Sequence, residues 1–447
     1  MQRRKHFPGT GTRIAAQLAG APVLPAIAAL AAMLGGCGGS TANSTPNSAP
    51  PVNGTATPTA VLQAEKAGTA VDPAIVAADN TFGLNLLNTL IPGSSGNVAL
   101  SPISVALALQ IVYNGAAGTT QTAMAQTLEL AGLSTSDLNS DNAALQASLI
   151  NPDPNVQLTI ANSLWMHLST NPVLASFTDT DETYYGATLG DLSGAPDNVN
   201  AWVASETHGL ITQILPQEPA GYYQQVIAVI ANTIYFKGQW TATFDPSQTT
   251  AAPFTLSDGT QVSAELMHQT GSYDYLQGTL LGIPFQAVRL GYGAGRLNML
   301  IVLPDAGTPL SSFVAGITAE ELSGWNAQFQ NTSGSIALPR FTSSYGASLP
   351  AALTSLGMGI AFCSSSGADF SGIASNPPPC IADVEHKTVV EVDESGTVAT
   401  GATTVTIGTT VVVEPQFTMT MDRPFFYAIQ DDETGELLFV GLLMDPS

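Results

Sequence analysis

The chain has 447 residues, of which 45% are apolar and 10% are charged, so it is expected to fold around a large core and disorder over most of its length is excluded. The formal net charge is −23, and only seven basic residues follow residue 13, against 34 acidic ones. Such a surface repels polyanions, which excludes nucleic acid and heparin-like cofactors as partners.

Residues 1–36 are predicted to be a signal peptide. Basic residues at positions 3 to 5 precede an apolar run over 23–34, and this run leads into Leu34-Gly35-Gly36-Cys37. Small residues before a Cys suit a signal peptidase, and the Cys37 sulfur can accept a diacylglycerol, so the segment resembles a bacterial lipoprotein signal. The alternative is an ordinary secretory signal followed by an unmodified Cys. The apolar run is short and contains Pro25, which argues against a spanning helix.

Residues 37–70 are rich in Ser, Thr, Ala, Asn, Pro and Gly and cannot bury enough surface to fold. They are predicted to form a flexible tether between the lipid and a folded domain. The expected location is therefore extracytoplasmic, lipid-anchored and facing the periplasm or the cell surface, or otherwise secreted. In such an oxidising compartment Cys363 and Cys380 either form a disulfide or remain two buried thiols.

Two helices are predicted at the start of the folded part. Asp72-Pro73 provides an N-cap and a Pro at the first helical position, and apolar residues then recur every four positions. A second helix begins at Ser101-Pro102 and contains too few polar residues for a surface helix, so we expect it to be buried.

Strands dominate the later part of the chain. The run over 226–236 is almost continuously apolar, which is typical of a strand covered on both faces. Further strands are predicted near 156–166 and at 297–303, 388–392 and 426–429, and a hairpin is predicted where a polar turn precedes 437–443. Helices early and strands late indicate an α+β fold.

The sequence carries no active-site constellation. The five His residues, at positions 6, 167, 208, 268 and 386, lack metal-ligand spacing, and no C-x-x-C, H-E-x-x-H or glycine-rich phosphate loop occurs. A secreted hydrolase is disfavoured because no G-x-S-x-G elbow supplies a nucleophile. We therefore expect no enzyme activity, metal or cofactor, and we interpret His386 as a hydrogen-bonded structural residue.

The segment 397–413 is the most unusual part of the chain. Its 17 residues include no charge, no Pro and no aromatic residue, and its second half strongly favours a strand. One interpretation is a buried strand that begins with small residues. The other is an exposed loop, which would be an aggregation hazard unless a strand position exists for it to enter.

Several separated motifs, in order, resemble the serpin family over residues 71–447. They are the segment 97–104, NAWV at 200–203 with THG at 207–209, NTIYFKGQW at 232–240, ADFSG at 368–372, HK at 386–387, and MTMDRPFFY at 419–427. The resemblance implies one domain with the serpin fold, in which helices pack on three β-sheets and a reactive-centre loop is exposed. It also implies a monomeric suicide inhibitor of serine proteases, and it assigns five residues to the region where the main sheet opens: Ser101, Ser104, Asn232, Trp240 and His386.

The resemblance gives 397–413 the role of the reactive-centre loop, which is cut and then inserts into the main sheet as a strand. Alternate residues of a strand face one way, so from Thr397 the inward set ends with Val405 and Ile407 and includes no charge. Val398, where the family usually has Glu, would face outward. The hinge residues implied are Glu394, Gly396, Thr397, Ala399, Gly401, Ala402 and Thr403.

Two counts place the scissile bond differently. About fourteen residues from the hinge glycine, roughly 45 Å of strand, lead to Thr410-Val411, which we prefer because insertion length traps the protease. Counting back from Arg423-Pro424 leads to a bond near Val413-Glu414. Both residues before the cut are β-branched and uncharged, which excludes a trypsin-like target and indicates an elastase-like or subtilisin-like protease. The alternative function is a non-inhibitory serpin-fold surface binding protein.

Overall fold

The computed structural model describes residues 70–447 apart from 95, 151, 375–378 and 398–413. The predicted signal peptide, Cys37 and the tether up to residue 69 therefore lie outside the described residues. Among the described helices, none is long and apolar enough to cross a bilayer.

Both predicted N-terminal helices are confirmed. Helix α1, Pro73–Leu90, begins after Asp72, whose side chain accepts a hydrogen bond from the backbone N of Ala74 at 2.9 Å. Helix α2, Pro102–Tyr113, is buried at all of its 12 residues, as its apolar composition predicts. The other helices are α3 (Gly118–Thr127), α4 (Thr135–Leu149), α5 (Ala175–Tyr184), α6 (Asp197–Glu206), α7 (Leu310–Val314), α8 (Ala319–Asn326) and α9 (Pro350–Leu353).

Fifteen strands are present in the described part of the chain. They are β1 (Val98–Leu100), β2 (Val156–Met166), β3 (Thr188–Asp191), β4 (Ala228–Gln239), β5 (Thr250–Thr255), β6 (Gln261–Leu280), β7 (Ile283–Tyr292), β8 (Leu297–Pro304), β9 (Gln330–Pro339), β10 (Phe341–Ser348), β11 (Asp383–Val392), β12 (Gly396–Thr397), β13 (Phe417–Thr420), β14 (Phe425–Asp431) and β15 (Leu437–Leu443). Strand β11 begins five residues before its predicted start because Asp383, Glu385 and Lys387 alternate with buried residues and interrupt the apolar run.

Hydrogen bonds join these strands into two sheets within the described residues. The main sheet has six strands in the order β10-β11-β12-β4-β2-β3. The second follows the path β1-β15-β14-β8-β7-β6-β9-β13, with β5 paired to β6. The three sheets implied by the family appear here as two networks because β6 is shared, pairing with β5 over its first part and with β7 over its last. The predicted hairpin is the antiparallel pair β14 and β15.

Helix α2 lies in the centre of the core, where it contacts β4 of the main sheet and β15 of the second sheet. A smaller cluster forms on the main sheet where α6 packs on β4. Val199 and Val203 of α6 join Val229 and Ala231 in that cluster. The motif at 200–203 thus belongs to a helix that lies on the main sheet.

A disulfide joins Cys363 to Cys380 across a sequence separation of 17 residues. The chain on either side is also paired, because the backbone N of Cys363 donates to the carbonyl of Ile381 at 2.9 Å. The backbone N of Ala382 donates to the carbonyl of Ala228 at 2.9 Å, immediately before β11 begins. The bridge therefore fixes the segment that leads into β11.

Replacing both Cys363 and Cys380 with Ser should lower the free energy of unfolding by about 3 kcal/mol. This is the value that the chain-entropy model gives for cross-linking residues that are 17 positions apart. Urea unfolding of the variant and the parent measures the difference. Dithiothreitol should destabilise the parent and leave the variant unchanged. A parent that is insensitive to the reductant would contradict a stabilising role for the bridge.

Candidate functional site

The seam between β4 and β11 is the feature around which the candidate site is built. The two strands pair in parallel from Asp383 opposite Val229 to Lys387 opposite Thr233, and no pair between them follows among the described residues. Near their C-terminal ends β12 lies between them, with Thr397 opposite both Val392 and Gly238. The seam is thus closed at one end, and at the other the hinge residue Gly396 and the first residue of the predicted inserting segment, Thr397, already separate β4 from β11.

A tight turn brings the chain from β11 into the seam. The Asp393 carboxylate accepts hydrogen bonds from the backbone N of Ser395 at 2.8 Å and of Gly396 at 3.1 Å. Gly396 has φ 152°, and a Cβ at this position would lie 2.0 Å from the carbonyl oxygen of Gly238. Only glycine can approach β4 this closely.

Glu394 anchors the turn by an ion pair. Its side chain is almost fully buried and accepts hydrogen bonds from the Arg340 Nε at 2.7 and 2.8 Å and from the Thr249 hydroxyl. Its backbone carbonyl accepts from the N of Phe244 at 2.9 Å. Burial alone would raise the pKa of Glu394, but the hydrogen bonds from Arg340 and Thr249 outweigh it, and the pKa is lowered.

At pH 7, Glu394→Gln should lower the free energy of unfolding by about 1–2 kcal/mol, a value kept small because Arg340 is partly exposed. The carboxylate stabilises the fold above its unfolded-state pKa near 4.3, and that stabilisation is lost as the pH falls through the lower folded-state pKa. The deficit of the variant should therefore shrink on acidification. A double-mutant cycle with Arg340→Gln in urea measures the coupling, and a coupling of zero at pH 7 would rule out a stabilising ion pair.

Thr397 faces the protein interior. It is 1% exposed, and its hydroxyl lies 2.6 Å from the hydroxyl of Tyr292. The Tyr292 ring stacks on Trp240 at 4.4 Å between centroids. Trp240 in turn holds the turn, since its backbone N donates to Ser395 at 2.9 Å and its indole N donates to Asp393 at 2.8 Å. The aromatic residues Tyr292 and Trp240 thus pack beneath the hinge where it enters the sheet.

A buried hydrogen-bond network lies beneath the closed part of the seam. The Asn232 side chain on β4 donates to the backbone carbonyl of Ser104 at 2.7 Å and to its hydroxyl at 2.6 Å. His386 on β11 is 2.7 Å from the Asn232 side-chain oxygen through Nδ1, and its Nε2 accepts from the backbone N of Ser101 at 3.2 Å. The network therefore ties both strands of the seam to the start of α2.

His386 must be neutral for this arrangement. Nε2 is an acceptor for the Ser101 N–H, so the single ring proton is on Nδ1 and is donated to Asn232. Burial lowers the pKa of His386 to about 3, which keeps the ring neutral at ordinary pH. His386 is thus a hydrogen-bonded structural residue. The described residues contain no group of three or more His, Cys, Asp or Glu that could hold a metal ion.

Helix α6 packs against β2 and β4 of the main sheet. The Trp202 indole N donates to the Thr188 hydroxyl at 3.1 Å, and the ring also packs edge-on against Trp165 of β2. At the helix end, the His208 ring lies 4.7 Å from the ring of Tyr235 on β4. Helix α6 therefore lies on the main sheet beside β4, one of the two strands of the seam.

The structure brings together many of the residues that the sequence singled out. Ser101, Ser104, Asn232 and His386 form one network under the seam, whereas Trp240 joins Glu394, Gly396 and Thr397 at the hinge. Sequence reasoning missed Tyr292, Arg340 and Thr249. The predicted residues that lie outside the described part of the chain are Cys37, Val398, Ala399, Gly401, Ala402, Thr403, Val405, Ile407, Thr410, Val411 and Val413.

A profile for the family described as serpin (serine protease inhibitor) matches residues 77–446. Leukocyte elastase inhibitor A of Rattus norvegicus is 31% identical over 383 residues, covering 83% of this chain and 99% of that protein. A serpin-like protein of Thermococcus kodakarensis is 32% identical over 440 residues, covering 94% of this chain and 98% of that protein. The thermophilic serpin tengpin in its native state superimposes with a TM-score of 0.76 at 26% identity, covering 84% of this chain and 95% of tengpin.

The fold, the seam and these similarities together define the class: the chain belongs to the serpin family. Human kallistatin, at 26% identity and a TM-score of 0.74, has the same architecture over 84% of this chain and 99% of its own. Serpins are protease inhibitors and not catalysts, and relatives near 30% identity are named as inhibitors, which supports protease inhibition as the general activity.

Proposed function

We propose that this protein is a suicide-substrate inhibitor of elastase-like or subtilisin-like serine proteases. It is cut within 397–413, and the part before the cut inserts as a strand between β4 and β11, trapping the covalent acyl-enzyme. The observation that carries the proposal is the position of β12, because Gly396 and Thr397 already pair with β4 at the entrance of the seam. The next residues need only continue the same strand.

The composition of the loop supports both insertion and target choice. The expected inward residues after Thr397 are Ala399, Gly401, Thr403, Val405 and Ile407, none of which brings a charge into the sheet. The residue before the proposed Thr410-Val411 bond is β-branched and uncharged, so a protease that needs Arg or Lys at this position has no site. Val413-Glu414 is the second candidate for the bond.

The decisive test is to mix the purified domain with an elastase, a subtilisin and, as the control, trypsin. An SDS-stable complex is expected with at least one of the first two and not with trypsin, and the mass of the released C-terminal peptide identifies the bond. Clean cleavage without a complex would favour the alternative of a non-inhibitory serpin-fold binding protein. A complex with trypsin alone would contradict the proposed specificity.

We also propose that the protein is anchored to a membrane by a lipid on Cys37, after removal of residues 1–36 as a bacterial lipoprotein signal. The support is the sequence Leu34-Gly35-Gly36-Cys37 behind the apolar run and the tether that follows it. Cys37→Ser should be recovered in the soluble fraction, while the parent fractionates with membranes. Membrane fractionation of both would exclude lipid at this Cys.

We further propose that the monomer acts without a polyanion cofactor. The described arginines are paired with acidic residues, for example Arg289 with Asp432, Arg296 with Asp431 and Arg423 with Asp422. The Lys387 ammonium donates to the carbonyl of Gln213 at 2.9 Å. Heparin should therefore leave the rate of inhibition unchanged, and acceleration by heparin would contradict this proposal.

A further inference from the structure

Two acidic side chains are enclosed in the core away from the network beneath the seam. Asp79 lies on the buried face of α1, Glu436 directly precedes β15, and both are 0% exposed. Asn80, the neighbour of Asp79, donates to the carbonyl of Gly435 at 2.9 Å and accepts from the N of Leu437 at 2.9 Å. These two backbone groups flank Glu436, so α1 and the start of β15 adjoin at the two carboxyl groups.

Few hydrogen-bond donors surround these two carboxyl groups. One oxygen of Asp79 accepts from the Gln110 side chain at 2.8 Å. Within the described part of the chain, the other oxygen of Asp79 and both oxygens of Glu436 have no hydrogen-bond partner. An ionised carboxylate buried without donors carries a desolvation penalty that a protonated acid avoids.

Neighbouring charges do not neutralise the pair. Arg296 donates to both oxygens of Asp431 at 2.7 and 2.9 Å and pairs with Glu433 at 3.0 Å, so its charge is already shared. Helix α2, strand β15 and helix α9, which pack against α1, contain no acidic or basic side chain. The remaining acidic groups on elements that contact α1 are Asp141, partly buried on α4, and the exposed Asp137, Glu320 and Glu321.

Burial raises the pKa of Asp79 although the hydrogen bond from Gln110 lowers it. Burial also raises the pKa of Glu436, and the charges of Asp79 and Asp431 raise it further. Burial raises the pKa of the Tyr185 hydroxyl, and the negative charges of Asp79 and Asp181 both act on it and raise its pKa further. Burial raises the pKa of Asp181 itself to about 7. In an unfolded chain the two carboxyl groups would titrate near 3.9 and 4.3. At any pH between these unfolded-state pKa values and the raised folded-state pKa values, the folded protein therefore binds more protons than the unfolded chain.

We propose that Asp79 and Glu436 keep at least one proton between them in the folded domain, and that this retained proton contributes stability to the native state that is largest in acidic surroundings. The stabilisation is fully present below pH 4 and is lost as the pH rises through neutrality towards the folded-state titration. Each linked proton changes the unfolding equilibrium up to tenfold per pH unit. This pH dependence concerns the durability of the inhibitor and is independent of how its loop traps a protease.

Proton release on unfolding tests the proposal directly. Unfolding the domain with urea at pH 6.5 in weak buffer should release protons, because the buried acids ionise once exposed. The double variant Asp79→Asn/Glu436→Gln keeps the side-chain shapes and should release about one to two fewer protons than the parent. The control Glu320→Gln, which neutralises an exposed carboxylate and changes the net charge by one, should release as many as the parent. Equal release by the double variant and the parent overturns the proposal.

The single variant Glu436→Gln provides a second measurement if the double variant folds poorly. Its thermal midpoint minus that of the parent should rise steadily between pH 5 and pH 8.5, since the amide cannot ionise. The same difference for Glu320→Gln should stay nearly flat over this range. A constant deficit for Glu436→Gln at every pH would mean that Glu436 acts only through packing, which also overturns the proposal.

Discussion

Thr397→Arg should convert the inhibitor into a substrate that is cut at the same bond but releases active protease. Thr397 is buried against Tyr292 at the entrance of the seam, so an arginine there would place a charge between two closed strands. An unpaired buried charge costs several kcal/mol, and each ~1.4 kcal/mol added to the insertion barrier slows insertion about tenfold. Hydrolysis of the acyl-enzyme competes for the same intermediate. A slowing of about 100-fold or more should therefore let hydrolysis win.

The measurement is the number of inhibitor molecules consumed for each protease molecule trapped. Val398→Arg is the matched control, because strand alternation directs the next side chain outward, where a charge remains solvated. We expect Val398→Arg to stay close to the parent and Thr397→Arg to consume far more inhibitor. Equal values for the two variants would refute the inward and outward assignment, and full inhibition by Thr397→Arg would refute insertion itself.

How much of the site could be read from the sequence depends on whether a residue acts locally. Gly396 and the uncharged segment after it stand out because a turn glycine and a strand-forming run without charge are local patterns. Arg340 and Tyr292 do not stand out in the sequence. Their roles arise only when the folded chain brings them to Glu394 and Thr397, which are distant in sequence. The scarcity of basic residues was one usable signal. In so acidic a chain, each Arg is expected to form an ion pair with an acidic residue, as Arg340 does with Glu394.

The fold shows the same division. The starts of α1 and α2 were predictable from Asp72-Pro73 and Ser101-Pro102, since a Pro at the first helical position acts locally, as does the side-chain cap that Asp72 gives to α1. The start of β11 could not be predicted from the sequence. Its alternating polar residues are typical of a surface segment, and only the structure shows that β4 and β10 flank it. Asp79 was equally hidden, since an acidic residue in a helix is ordinarily solvated and only the tertiary packing encloses it.

Cleavage of the loop should raise the thermal midpoint of the domain by at least about 10 °C. Insertion would extend the two residues of β12 into a full strand with partners on both sides, and it would bury the side chains of Val405 and Ile407 at about 1.5–3 kcal/mol each. Backbone hydrogen bonds to β4 and β11 add about 0.5–1.5 kcal/mol each, against the entropy of ordering the segment. For a domain of this size, a net gain of about 10 kcal/mol corresponds to a shift of roughly 12 °C.

Limited digestion with a metalloprotease provides the cut form, because such an enzyme attacks with a metal-bound water and forms no acyl-enzyme that could be trapped. Scanning calorimetry of the intact and cut forms then gives the shift. Cut Thr397→Arg is the control: its loop is severed at the same place, but the charge at the first inserting position opposes entry, so its midpoint should remain near that of the intact form. The difference between the two cut proteins separates the effect of insertion from the effect of cutting the loop. A parent whose midpoint does not move after clean cleavage would show that the intact fold stores no energy for insertion, and the non-inhibitory alternative would then be favoured.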